Sequence, residues 1–176
     1  SVQHELIPQA LRGMDINCQA PSGHGKTTLY IVASLQQLEP IERNVSTLIL
    51  CHTREKATQI SDMYAKISAH MPEVEVAVFS GDARTKKNRG VLMNKCPNIV
   101  IGTPGRILAL VKSGALKLSE LKVLVLDECD RMLKDQDAHV AVQKIFKFTP
   151  QSKQVMMFSA SLPTEMRTVC NKFIKN

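Results

Sequence analysis

Residues 122–133 read KVLVLDECDRML. Four apolar residues, Val123 to Leu126, run straight into three acids packed within four positions, Asp127, Glu128 and Asp130. A strand with one face in water alternates apolar and polar residues. This one does not, which is how a strand buried on both faces reads. Burial on both faces implies a parallel sheet covered by helices. Such sheets take ligands beyond the carboxyl ends of their strands, and Asp127 stands at that end. Three acids there repel one another unless a cation or hydrogen-bond donors offset them. The tip therefore reads as a place for a metal ion or a reacting proton.

Working outward, similar runs recur: INCQA (16–20), STLILC (46–51), EVAVFS (75–80), NIVIG (98–102) and QVMMFS (154–159). Between them the spacing predicts helices near 26–38, 54–70, 84–95, 105–113, 137–147 and 163–174. Pro104, Pro150 and Pro163 punctuate the chain, and Pro163 suits a first helical turn. Strand–helix alternation of this kind predicts an α/β fold, a parallel β-sheet sandwiched by helices. The 176 residues fit one domain with a full core, so residues 1–176 read as a single unit. Ser1-Val2-Gln3 reads as a start in mid-sequence.

Composition narrows the function classes. No apolar run approaches the roughly 20 residues of a membrane helix. The formal charge of +7 favours a polyanionic partner, although a solvated basic surface accounts for it equally well. Aromatics make up 4% of the chain, with no Trp, which argues against a binder that stacks bases on rings. Contacts to nucleic acid would then go to the backbone. Five scattered cysteines, without a CxxC pair, suggest neither a zinc site nor a disulfide framework.

The segment APSGHGKTT (20–28) follows the first strand and opens a helix. It is a phosphate loop with Ala20 in the first glycine position and Gly25-Lys26-Thr27 at its end. Gly23 and Gly25 let the backbone close around phosphate oxygens, and amides at the helix start point at the anion. Ser22, His24 and Thr28 complete the expected cradle. Lys26 would reach the β- and γ-phosphates, and the Thr27 hydroxyl would take a Mg²⁺ position. A Gly-rich turn that binds nothing is the alternative, and the acids downstream count against it. Asp127 then suits the metal, and Glu128 suits the base that positions and deprotonates water.

With these motifs in hand, the chain resembles the first RecA-like, ATP-binding domain of a DEAD-box RNA helicase. DECD (127–130) resembles the subgroup that serves splicing and messenger-RNA export in the nucleus. SVQHELIPQAL (1–11) resembles the end of the family's glutamine motif, HTRE (52–55) its motif Ia and TPGRIL (103–108) its motif Ib. SGD (80–82) falls where a Gly-Gly pair is usual, and SAS (159–161) stands for SAT. The resemblance runs in family order over essentially the whole chain.

It implies ATP and Mg²⁺ as cofactors, with Gln3 reading the adenine edge. It implies single-stranded RNA held by its phosphates at Thr53, Arg54, Gly81, Thr103, Gly105 and Arg106. It implies coupling through Asp130, Ser159 and Ser161, whose hydroxyls would bond near Asp130. It also implies a second RecA-like domain in cis that completes the site, and export and splicing proteins as partners. The activity implied is an RNA-stimulated ATPase that remodels RNA or ribonucleoprotein. The alternatives are a nucleotide-switched clamp or scaffold for export factors, and an unrelated phosphate-loop ATPase or kinase.

Four departures bear on this. Lys56 stands where TREL carries Leu, and a charge there would not pack like one. Asp82 replaces the second glycine of the pair. Pro21 stiffens the loop and removes an amide donor. His24 lies between the two loop glycines. Two basic clusters, Arg84-Lys86-Lys87-Arg89 and Arg167 with Lys172 and Lys175, read as solvated helix faces.

Overall fold

The strand β2 (Thr47–Leu50) shows why the apolar runs are continuous. Leu48 and Leu50 face one core with Val100, Leu124 and Leu126, while Ile49 faces the other with Ile101 and Val125. Successive side chains point to opposite faces of a strand. Both faces are covered, so apolar residues fill the strand from Leu48 to Leu50. In this computed structural model the described residues are 2–21, 25–39, 43–81, 91–92, 95–161 and 163–174, and for residues 2–4 the backbone alone.

The other strands are β1 (Ile16–Gln19), β3 (Val76–Phe79), β4 (Ile99–Gly102), β5 (Val123–Leu126) and β6 (Gln154–Ser159). All six predicted strands are present, each at most a residue shorter at either end. They pair in parallel in the order β1-β6-β5-β2-β4-β3. The central β5, β2 and β4 are buried throughout, whereas edge strand β1 alternates, with Asn17 and Gln19 exposed.

The helices are α1 (Val2–Leu11), α2 (Lys26–Gln36), α3 (Arg54–Ile67), α4 (Pro104–Lys112), α5 (Cys129–Lys134), α6 (Gln136–Lys147) and α7 (Thr164–Asn171). Ala10, Leu29 and Ile60 put α1 to α3 on one face of the sheet. Ile107, Met132, Ile145 and Met166 put α4 to α7 on the other. The fold is thus the predicted helix-sheathed parallel sheet. The helix predicted over 84–95 lies largely outside the described residues. Two helices were not anticipated, α1 and the six-residue α5.

Buried Gln154 explains how α1 is held. Its Nε2 donates to Ala10 O at 3.0 Å and Met14 O at 2.7 Å, and its Oε1 accepts from Gln37 Nε2 at 2.8 Å. One side chain thus ties the end of α1 to β6 and α2. A buried amide with three satisfied bonds fixes a geometry that an apolar residue would leave loose.

Because the strands are parallel, their carboxyl ends form one rim. The segments after β1, β6 and β5 lie side by side in one half. Those after β2, β4 and β3 lie in the other. Strands β5 and β2, where the halves meet, pair in register, Leu126 beside Leu50, and Asp127 N donates to Leu50 O at 2.9 Å.

Candidate functional site

Asp127 leaves β5 only 3% exposed. Burial of a carboxylate demands partners, and the chain supplies them. Its Oδ2 accepts from Tyr30 Oη at 2.8 Å, and its Oδ1 accepts from Glu128 N, also at 2.8 Å. Burial first, and then the Asp127 charge, push the Tyr30 hydroxyl well above its ordinary value, which keeps it a donor. The Tyr30 ring packs on Phe158 with centroids 5.3 Å apart, so the hydroxyl is held from behind.

Glu128 follows with φ 50° and ψ 44°, the sole non-glycine residue in the left-handed region among those described. That conformation costs an L-residue about 1–2 kcal/mol, and such strain concentrates at functional sites. Its effect is to turn the chain sharply between β5 and α5, with the Glu128 carboxylate in the cleft. Asp130 is 8% exposed, and its Oδ2 accepts from Ser161 N at 3.5 Å. Ser161 thus meets Asp130 through its amide, where the resemblance implied the hydroxyl. Ser159 Oγ is buried with no hydrogen-bond partner among the described residues.

Facing these acids is the loop after β1. Gly25, with φ 76°, caps α2 in the left-handed region, where a side chain would be strained. Lys26 opens the helix, and its Nζ donates to Ala20 O at 2.6 Å and Ser159 O at 3.4 Å. Ala20 N in turn donates to Ser159 O at 3.0 Å, which stitches the loop to β6. Lys26, Thr27, Thr28, Asp127, Glu128 and Asp130 line one cleft of about 240 Å³ with Gly25 and Ala160. Ser22, Gly23, His24 and the Gln3 side chain lie outside the described residues. A larger hollow of about 510 Å³, beside Val45, Cys96 and Leu116, opens at the amino end of the strands, away from every motif residue.

Three further side chains line the cleft that the sequence did not place there, Lys56, Met63 and Arg131. Lys56 Nζ is 3.8 Å from Asp127 Oδ2 and 3.9 Å from Glu128 Oε1. Arg131 adds a second cation to the lining. The signal for Lys56 was present: Ala57, Ile60 and Tyr64 mark the buried face of α3, and Lys56 adjoins it. A lysine beside a buried stripe needs an anion. Likewise, Tyr30 in the apolar stripe of α2 needs a partner for its hydroxyl. Among the described residues no three His, Cys, Asp or Glu side chains converge to hold a metal by themselves. The acids at the tip are offset instead by Tyr30, Lys56 and backbone amides. The donor set still fits Mg²⁺, a hard cation that takes one or two carboxylates plus phosphate oxygens and keeps several waters. Asp127 and the Thr27 hydroxyl are among the oxygen donors that line the cleft. Near these acids, burial, and then the Asp127 charge, push the Cys51 thiol up to about 12.

The other half of the rim gathers a second set. Thr53 caps α3, its Oγ1 accepting from Lys56 N at 3.1 Å. Thr103 precedes Pro104 at the start of α4, and its amide donates to Phe79 O at 3.3 Å. Arg106 donates from Nη2 and Nε to Gly81 O at 2.6 and 3.2 Å. The Arg54 side chain lies against Gly81, whose φ is +64°. Thr53, Arg54, Gly81, Thr103 and Arg106, from three separate segments, therefore form one basic, hydroxyl-bearing surface. Gly105 is exposed, with open space around it. Asp82 and the cluster from Arg84 to Arg89 lie outside the described residues.

The family description "DEAD/DEAH box helicase" matches residues 1–169. A "DEAD-box ATP-dependent RNA helicase 56" of Oryza sativa subsp. japonica is 53% identical over 175 residues, covering 99% of this chain and 40% of that protein. The human "ATP-dependent RNA helicase DDX39A" is also 53% identical over 175 residues, with 41% of its length covered. The chain thus spans about two-fifths of the curated relatives it matches. Among solved structures, a yeast (S. cerevisiae) Dbp5 variant bound to RNA and ADP BeF3 superposes with a TM-score of 0.90 at 24% identity, covering 99% of this chain and 44% of that one. A second Dbp5 structure, with Nup159, Gle1, IP6 and ADP, gives a TM-score of 0.86 over 98% of this chain and 46% of that one, at 24% identity.

Proposed function

The chain belongs to the DEAD/DEAH box helicase family, and from that premise we propose that it is the ATP-binding RecA-like unit of an RNA-stimulated ATPase that remodels RNA or ribonucleoprotein. The observation that carries this is the convergence of Lys26, Thr27, Asp127 and Glu128 on one cleft.

In this reading residues 20–28 cradle the phosphates, with Lys26 turned from the loop carbonyls to the β- and γ-phosphates. Gln3, on α1, reads the adenine edge. Asp127 and Thr27 hold Mg²⁺, which when bound neutralises charge on the phosphate oxygens. Glu128 orients a water and accepts its proton as the water oxygen bonds the γ-phosphorus. The bond from phosphorus to the bridging oxygen breaks, and ADP and phosphate leave. Asp130, Ser159 and Ser161 link this cleft to the end of β6.

Single-stranded RNA lies on the other half of the rim. Its phosphates meet Thr53, Arg54, Gly81, Thr103, Gly105 and Arg106, which suit phosphate oxygens and carry no base information. The net charge of +7 and the scarcity of aromatics fit backbone contacts. RNA and ADP BeF3 in the Dbp5 structure support the same pair of ligands. A second RecA-like domain in cis would complete both sites and supply the arginines such chemistry uses. The DECD form of the acid motif supports a nuclear place in messenger-RNA splicing and export, with proteins of those processes as partners.

A steady-state ATPase assay of the protein together with its second RecA-like domain, against an RNA titration, tests this. RNA should stimulate hydrolysis, and Glu128→Gln should lower the rate by about 10²–10⁴-fold while nucleotide binding survives. Hydrolysis that ignores RNA would sink the reading. One observation favours a second reading, a nucleotide-switched clamp with slow hydrolysis: Lys56 pairs with both working carboxylates.

A further inference from the structure

The position of Lys56 is built by the fold and is not an accident of a long side chain. It is the third residue of α3, and its own amide is held by the Thr53 cap at 3.1 Å. Helix α3 begins just after β2, and β2 pairs with β5, so the first turn of α3 lies against the segment that carries the acids. A lysine in the first turn runs against the helix dipole, which calls for a compensating anion nearby. Two are present, at 3.8 and 3.9 Å. The Lys56 side chain is 22% exposed and that of Asp127 is 4% exposed, so water screens this pairing only in part.

Each Asp127 oxygen also has a hydrogen-bond donor from the chain, Tyr30 Oη on one and Glu128 N on the other. A divalent ion approaching the carboxylate therefore meets a group whose charge is partly offset and whose oxygens are already bonded. Mg²⁺ sheds its waters reluctantly and demands near-octahedral geometry, so it gains less here than at a bare carboxylate.

We propose that Lys56 acts as a tethered cation in the nucleotide cleft, taking up the Asp127–Glu128 charge that would otherwise recruit the metal, so that the protein holds nucleotide with little help from Mg²⁺. The proposal rests on the reading of the cleft given above. Lys56 is here a positioning residue, acting through Asp127 and Glu128. It ties the metal step of the cycle to α3, the helix whose start carries Thr53 and Arg54. A phosphate drawn to that start would tug on the same turn.

Binding of a fluorescent ADP analogue, measured in chelator and at saturating Mg²⁺, is the test. The wild type should change affinity by less than about threefold on adding Mg²⁺, and Lys56→Leu by ~10-fold or more, within the usual range for coupled ligands. Lys56→Gln, which keeps most of the length and loses the charge, should behave like Lys56→Leu. An equal Mg²⁺ dependence in wild type and both variants overturns the proposal. Should none of the three bind the analogue under any condition, the nucleotide reading itself falls, and the role of Lys56 falls with it.

Discussion

Glu128 combines backbone strain with the role proposed for its carboxylate. With φ at 50°, it sits where glycine is favoured, yet glycine has no carboxylate to offer the cleft. Glu128→Gly relieves about 1–2 kcal/mol of left-handed strain and returns about 0.5–1 kcal/mol to the freedom of the unfolded chain. The variant should therefore be more stable by about 0.5–1 kcal/mol in urea unfolding, while losing hydrolysis. A less stable variant would mean that the carboxylate contributes to the fold. Tyr30 makes the complementary case. Tyr30→Phe keeps the ring against Phe158 and removes only the donor to Asp127. A buried acceptor short of a donor costs about 1–3 kcal/mol, so urea unfolding should show a loss in that range. No loss would mean that Lys56 or water makes good the bond. The part expected of the Glu128 carboxylate was legible in the DECD stretch, whereas its backbone strain and the bond from Tyr30 to Asp127 were not. Backbone strain leaves no trace in residue type, and a tyrosine in an apolar stripe declares only that its hydroxyl needs some partner.

At the scale of elements, the end of β4 shows how tightly the rim is made. A Cβ on Gly102 would stand 2.5 Å from Phe79 O and 2.5 Å from Ile107 Cδ1. The first is backbone and cannot swing away, so β3 or α4 must move. Gly102→Ala should cost about 1–3 kcal/mol or more, and with it the approach of Thr103 to Phe79. Gly105, three residues on, meets nothing within 4 Å, and Gly105→Ala in the first turn of α4 should be neutral or stabilising by up to about 1 kcal/mol. Paired chemical-denaturation curves check the contrast, and equal effects would refute it. The six strands were legible because burial on both faces writes itself as unbroken Val, Ile and Leu. Helix α1 was not, since Pro8 stands inside it and its anchor, Gln154, lies on a strand far along the chain. Helix α5 was too short for a period of 3.6 to show, and its start is set by Glu128.

Across the whole molecule, strand order decides which motifs can meet. The loop after β1 and the acids after β5 are far apart in sequence, yet only the end of β6 lies between them. The segments after β2, β4 and β3 assemble the second surface in the same way. The motifs were legible one by one. Their division between two halves of the rim, and the placing of Lys56 at the seam, follow from the pairing of β2 with β5, which no local pattern encodes. All of this requires a triphosphate to be held in the cleft between Lys26 and Asp127. Calorimetric titration of the wild type and of Lys26→Ala with ATP and Mg²⁺ tests it most directly. Binding to the wild type should be saturable, and weakened about tenfold or more, at least ~1.4 kcal/mol, in a folded Lys26→Ala. Equal affinity in the two proteins would contradict it.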